Sequence, residues 1–286
     1  MVVIVASQPT ALSRSQNTTM KLEPKIFPCA LVGILFVLLH SASAHANERH
    51  FAFAYETATL PAGTAEIEPW LTTRLGRSSY FARLEYRLEY EVAVTDRLQF
   101  ALYLNGRGSA WGDGAMRQES SEFRGSSLEV KYRLLDSTAD PIGFGLYAEV
   151  TGRADEIEVE TKLLLDRRFG NVLLAANLIY AHEWGFAAGG LVHENELGLA
   201  AGFGYFVLPE LLVGAEFREM NVFSPASFDY SAIYFGPTVA FHRSRWWVAA
   251  SISPQIAAVH GATAGDIRNL TDTEMLHARI LLGIHL

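Results

Sequence analysis

The stretch Arg83-Leu84-Glu85-Tyr86-Arg87-Leu88-Glu89-Tyr90-Glu91-Val92 puts an apolar or aromatic side chain at every even position and a charged one at every odd position. A helix would scatter those charges around its axis, whereas an extended strand gathers them on one face. The same two-residue period governs Leu128 to Leu134, where Glu129, Lys131 and Arg133 alternate with apolar neighbours, and Ile157 to Asp166, with Glu158, Glu160 and Lys162. With smaller or polar inner residues it continues over 98–105, 142–151, 195–205, 211–219 and 233–242.

Counting such runs predicts about twelve strands, at 64–74, 82–94, 98–105, 126–135, 142–152, 156–166, 172–183, 195–206, 211–219, 231–242, 246–256 and 275–286. Most approach the ~9–11 residues that cross a tilted bilayer span, and an even count suits a bacterial outer-membrane barrel. Every second link is short, as in Thr95 to Arg97, Leu208 to Glu210 and Arg243 to Arg245. The alternate links Gly106 to Gly125, Trp184 to Glu194, Met220 to Tyr230 and Ala257 to Glu274 are expected to be long loops, with only the link at Arg153 to Asp155 short. The fold class is therefore all-β: an antiparallel transmembrane β-barrel with both termini periplasmic. Pro69 and Pro237 lack a ladder donor inside two of these strands, which predicts a bulge or a strand boundary at each.

The segment before the barrel is organised as an export signal. Lys21 and Lys25 precede the apolar run Ile26 to Leu39, and Ser41 to Ala46 supplies small residues with cleavage expected between Ala46 and Asn47. The predicted division is an upstream extension at 1–19, a signal peptide at 20–46 and the barrel at 47–286. Cleavage would remove Cys29, the chain's one cysteine, leaving neither disulfide nor cysteine metal site. Removing Arg14, Lys21, Lys25 and Glu23 takes Lys+Arg from 23 to 20 and Asp+Glu from 31 to 30, so the net charge moves from -8 to -10. An acidic chain offers no basic face to nucleic acid.

The last strand keeps its apolar alternation through Ala278, Ile280, Leu282, Ile284 and Leu286. It resembles the C-terminal signal read by the barrel-assembly machinery, although Leu286 replaces the usual aromatic. Over its mature length the chain is similar to bacterial outer-membrane β-barrels. Tyr55-Glu56-Thr57-Ala58-Thr59-Leu60-Pro61-Ala62-Gly63, followed by Glu66, Glu68 and Trp70, resembles the opening of a group of uncharacterised bacterial barrels. In that group "E-T-L-P-x-G" precedes an acidic, Trp-bearing first strand, and some relatives are linked with outer-membrane proteins of phenol-degradation clusters. The resemblance implies a fold and a location in the bacterial outer membrane, among its lipids and lipopolysaccharide; it transfers no site residue.

By phase, the inner face carries the acids Glu66, Glu68, Glu85, Glu89, Glu91, Glu129, Glu149, Glu158, Glu160, Asp166, Glu196 and Glu216. It also carries the bases Arg74, Arg83, Arg87, Lys131, Arg133, Lys162, Arg218 and Arg279. Glutamates two apart share a face through the pleat alone, so Glu66/Glu68 and Glu158/Glu160 are read as lumen charge rather than an acid–base pair. No histidine pair has metal-site spacing, and no cofactor motif occurs. His182, near the outer rim, is the one candidate for a barrel-surface lipid hydrolase, with no serine placed beside it by sequence. The inner glycines Gly198, Gly202, Gly204 and Gly214 suit a wall relieved of bulk, and Trp70, Trp111, Trp184, Trp246 and Trp247 suit interfacial girdles, with Trp247, inward by phase, alternatively a plug or a stacking platform. The first functional reading is a narrow pore or transporter for small solutes. A closed structural or surface-interaction barrel is the alternative, and a lipid-modifying hydrolase the third. Its acidic inner excess predicts mild cation selectivity.

Overall fold

In the computed structural model the described residues are 49–113, 116–187 and 189–286. The upstream extension, the signal segment and the cleavage site at Ala46 and Asn47 lie outside them. Twelve strands follow one another: β1 (Ala65–Leu75), β2 (Tyr80–Thr95), β3 (Leu98–Asp113), β4 (Met116–Leu135), β5 (Gly143–Gly152) and β6 (Glu156–Phe169). They continue as β7 (Val172–Ala187), β8 (Gly190–Leu208), β9 (Leu211–Ser224), β10 (Ser227–Arg243), β11 (Trp246–Ala257) and β12 (Leu276–His285). Each pairs antiparallel with its sequence neighbours, and β1 pairs with β12 to close the barrel. Closure leaves no sheet edge, the condition under which strands can meet hydrocarbon.

The outward residues of these strands are large and apolar. Leu84, Leu88, Leu102, Leu178, Phe203 and Ile280 are all exposed, Leu88 at 49% and Leu102 at 48%. Single exposed leucines are ordinary on soluble proteins, but a continuous apolar belt around a closed barrel is suited to lipid. The inward phase holds the polar and charged residues, the reverse of a soluble barrel.

Three sequence expectations change. The expected long loops at 106–125, 184–194 and 220–230 are strand for almost their whole length, because β3–β4, β7–β8 and β9–β10 run on as paired hairpins. There, polar residues such as Ser120, Ser121 and Glu122 occupy both faces; with solvent on either side, pairing no longer needs an apolar alternation. Of the links expected to be long, only 258–275 is one. Neither proline makes a bulge or a boundary: Pro69 faces Leu88 in unbroken register, and its ladder to β12 lapses and resumes unshifted between Ile67↔Ile284 and Trp70↔Leu281. Pairing likewise lapses around Pro237, between Tyr234↔Gln255 and Thr238↔Ser251, without a change of register. Both rings point outward, where a missing donor costs one ladder bond and no packing. Finally, Trp70 and Trp247 are not girdle residues; at 3% and 0% exposure they are buried inside the barrel.

A plugged and charged lumen as candidate functional site

The barrel has a turn end, where links 96–97, 136–142, 170–171, 209–210 and 244–245 lie with the start of β1 and the end of β12, and a hairpin end, toward which β3–β4, β7–β8 and β9–β10 extend. Residues 49–61 fold from the turn end up into the lumen and back. At the returning side, Thr59 Oγ1 donates to the carbonyl of Asp96 and Ala62 N to Asp96 Oδ1, both in the β2–β3 turn. At the entering side, the His50 ring stacks on His242, 4.3 Å between centroids, and His50 N donates to Glu56 Oε1 across the loop mouth.

The deep part of the loop is anchored by inward polar groups of β3, β6, β7 and β9. Glu216, on β9, accepts from the backbone N–H groups of Ala52 at 3.2 Å, Phe53 at 2.7 Å and Ala54 at 2.9 Å. Asn177, on β7, accepts from Tyr55 N at 2.7 Å and returns a bond to the Tyr55 carbonyl at 2.8 Å. Asp166 takes Thr57 N at 3.1 Å and also its hydroxyl, and Gln99 takes Leu60 N at 2.9 Å. An irregular backbone buried in a barrel must have such acceptors, because unpaired buried N–H groups are costly. The loop aromatic Tyr55 packs with the wall, meeting Tyr147 edge-on at 5.2 Å and Trp70 at 6.5 Å, and Trp70 of β1 meets Tyr103 of β3 at 5.8 Å.

Above this floor, toward the hairpin end, lies a cavity of about 330 Å³. Phe53, Tyr55 and Trp70 form its base. Its walls carry eight cations, Arg74, Arg87, Arg107, Arg124, Arg153, Lys162, Arg218 and Arg279. Five glutamates point into it: Glu85, Glu149, Glu158, Glu160 and Glu196; Glu219, in register with the outward Leu199, carries its carboxylate on the outer face with Asn221. Most cations are paired: Arg74 with Glu85 at 3.0 Å, Arg87 with Glu149 at 2.6 Å, Lys162 with Glu160 at 2.8 Å and Arg153 with Glu158 at 2.7 Å. Arg218 and Arg279 are different. Their guanidinium groups lie on the Phe53 ring, 4.0 and 4.3 Å from its centroid. Among the described residues no carboxylate comes within ion-pair distance of either; Arg218 bonds His277 Nδ1 at 2.7 Å, and Arg279 bonds Thr72 Oγ1 at 2.8 Å.

The sequence-derived inner residues thus fall into separate groups by depth. Glu66, Glu68, Glu89, Glu91 and Glu129 cluster on the β1–β2–β4 side beneath the cavity, all buried. Asp166 and Glu216 hold the loop. Glu85, Arg87, Glu149, Glu158, Glu160, Lys162, Glu196, Arg218 and Arg279 line the cavity with Arg74. Arg83 sits higher, in a second hollow beside Phe81 and Trp111. Arg133 serves the turn end, reaching the Asp96 carbonyl at 2.6 Å and Asp136 at 2.8 Å. Lys131 is buried beside Glu129 on the same strand face.

Sequence reading missed Arg107, Arg124 and Arg153, which it had assigned to loops, and the luminal loop itself. A signal for the loop was present: Phe51, Phe53 and Tyr55 alternate with Ala52 and Ala54, an apolar pattern too short to span. His182, on the outer side, has Asn195 at 2.7 Å and His193 at 3.3 Å as ring-nitrogen partners; among the described residues no serine hydroxyl bonds it.

A closed twelve-strand antiparallel barrel with an apolar outside and a charged inside is of the outer-membrane β-barrel class. Residues 43–286 match the Family of unknown function (DUF6662), and the chain belongs to that family. No curated protein matches the sequence. Among solved structures it is similar to the COG4313 outer membrane channel from Pseudomonas putida F1, with a TM-score of 0.59 and 11% identity, covering 80% of this chain and 98% of that one. It is also similar to the NanC porin, with a TM-score of 0.51 and 10% identity, covering 77% of this chain and 100% of that one. At such identities the likeness is one of fold.

Proposed function

We propose that this protein is a narrow outer-membrane passage for small anionic solutes, closed at rest by its own N-terminal loop. The carrying observation is the floor of the cavity, where Arg218 and Arg279 flank Phe53 without a carboxylate partner. A guanidinium left unpaired in a partly dehydrated chamber attracts an anion strongly, and its planar fork suits a carboxylate or phosphate oxygen pair. This replaces the cation selectivity expected from the inner charge count: many of the surplus acids are withdrawn into the buried cluster and the loop anchors, away from the cavity. The channel and porin named among the structural neighbours are consistent with passage, and the hairpin end is taken as the outer mouth. The loop at 49–61 would have to shift for a solute to leave by the turn end.

Planar-bilayer recording with a salt gradient tests this. A reversal potential on the anion side, reduced by Arg218→Gln with Arg279→Gln, is expected. Cation preference in the folded unmodified protein, or complete silence under every applied voltage, would count against the reading.

A further inference from the structure

The five glutamates of the buried cluster converge from three strands. Glu66 lies directly opposite Glu91, and Glu68 directly opposite Glu89, across the β1–β2 ladder. Glu91 in turn faces Ala101, which faces Glu129 on β4, so a small residue stands between two acids. Like charges directly opposite one another destabilise a sheet, and these five side chains are at most 5% exposed. Such an arrangement persists only when something offsets the buried charge.

Their oxygens share a small space. Carboxylate oxygens of Glu66, Glu68 and Glu91 lie within 4.8 Å of one another, as do those of Glu89, Glu91 and Glu129, with Glu91 common to both sets. Three of the acids are held from one side by aromatic donors. Trp247 Nε1 donates to Glu66 Oε1 at 2.7 Å, Trp70 Nε1 to Glu68 Oε2 at 2.9 Å, and the Tyr103 hydroxyl to Glu129. Glu89 is fully buried, and apart from the neighbouring Glu91 carboxyl no group among the described residues donates to either of its oxygens, nor to Oε2 of Glu91. Both therefore present unoccupied acceptors toward the shared space.

The nearby cations are too few. Arg49 rests over the rings of Tyr55 and Trp70, at 3.9 and 4.7 Å, and makes no ion pair with the cluster. With all five carboxylates ionised, Arg49 and Lys131 leave a charge of -3, which one divalent ion would bring to -1. His285, already within ion-pair reach of Glu66, stands at the cluster's edge.

We propose that this cluster binds a divalent cation of the calcium type. A hard cation with six to eight oxygen ligands at ~2.3–2.6 Å matches several carboxylates, each able to offer one or both oxygens. Magnesium keeps several of its waters and holds to an octahedron, which an enclosure of Trp70, Tyr103 and Trp247 suits poorly. The ion would link β1, β2 and β4 next to the β1–β12 closure and below the luminal loop. None of the five acids lines the cavity, so the site stands apart from Arg218 and Arg279.

Terbium(III) is the probe, because Trp70 and Trp247 each hydrogen-bond a proposed ligand and can sensitise its emission. Purified full-length protein in detergent, stripped with chelator, should give saturable emission on indole excitation, and calcium should displace it. Glu89→Gln with Glu91→Gln should abolish the emission. Calcium should raise the temperature of the heat-dependent gel shift in the unmodified barrel and leave that of the variant unchanged. If the double variant does not fold, Glu129→Gln alone should weaken terbium binding. Folded unmodified protein without saturable emission, or a folded double variant that emits as strongly, would overturn the site and assign the cluster to shared protons.

Discussion

Phe51 occupies the space above Gly202: a Cβ at residue 202 would lie 2.7 Å from three atoms of the Phe51 ring. The inner wall is stripped of bulk there because the returning N-terminal loop needs the room. Gly202→Val should therefore push the loop off the wall while the barrel still closes, since overpacking costs about 1–3 kcal/mol. The expected result in bilayers is higher or more frequent conductance than in the unmodified protein. Unchanged conductance from a folded variant would mean that the loop does not limit passage.

Glu216 gives a second handle on the same loop. Replacing it with Ala leaves three buried N–H groups without their acceptor, at about 1–3 kcal/mol for each buried group left unsatisfied. Protease cleavage between Arg49 and Pro61 should become faster in Glu216→Ala, with the gel shift of the barrel retained. Protection equal to the unmodified protein would place the anchoring elsewhere, on Asn177 and Asp166.

The inside-out arrangement predicts an asymmetry in mutational cost. Leu88→Arg sets a charge against lipid and should cost ~2–4 kcal/mol if it lies near the bilayer midplane. Thr151→Arg, directly opposite Glu158 on the cavity wall, should assemble nearly normally. Assembled barrel measured by heat-dependent gel mobility compares the two; equal defects would contradict the assigned faces.

Membrane orientation can be read by labelling. Met116, in the exposed β3–β4 hairpin, and Ser244, in the β10–β11 turn, lie at opposite ends of the barrel. An impermeant thiol reagent on whole cells should modify Met116→Cys, and should reach Ser244→Cys only after the outer membrane is permeabilised. The opposite pattern would reverse the assignment of the two ends.

Glu274, in the link before β12, gives the hairpin end a pH dependence. Burial by itself raises its pKa, but the His277 hydrogen bond and the Arg74 and Arg77 cations outweigh this and hold it well below the usual carboxylate range. Arg77 reaches it at 3.0 and 2.5 Å. With the folded value depressed, the stabilisation is complete above the unfolded pKa of about 4.3. It disappears as pH falls through the folded value. Glu274→Gln should thus lower the unfolding temperature near neutral pH, and the gap to the unmodified protein should narrow as the solution is acidified below pH ~4. A gap that stays constant with pH would rule out the ionised carboxylate as its source.

The sequence by itself determined the class of fold. The alternation of Leu84, Tyr86, Leu88 and Tyr90 with Glu85, Arg87, Glu89 and Glu91 is a local property, because the pleat sends neighbours to opposite faces whatever lies beyond them. Twelve such runs, with short links at every second connection, were enough for an antiparallel barrel. Phase also assigned the charged residues a common side, but not a depth, a partner or a purpose. Those depend on strand register, which brings Glu66 opposite Glu91 and Glu68 opposite Glu89, and on barrel closure, which carries Trp247 to Glu66 from 181 residues away. They depend equally on the luminal loop, which claims Glu216 and Asn177 for its own backbone and leaves Arg218 and Arg279 against Phe53. Register, closure and occupancy of the lumen are relations between distant segments, and period-two patterning holds no information about them.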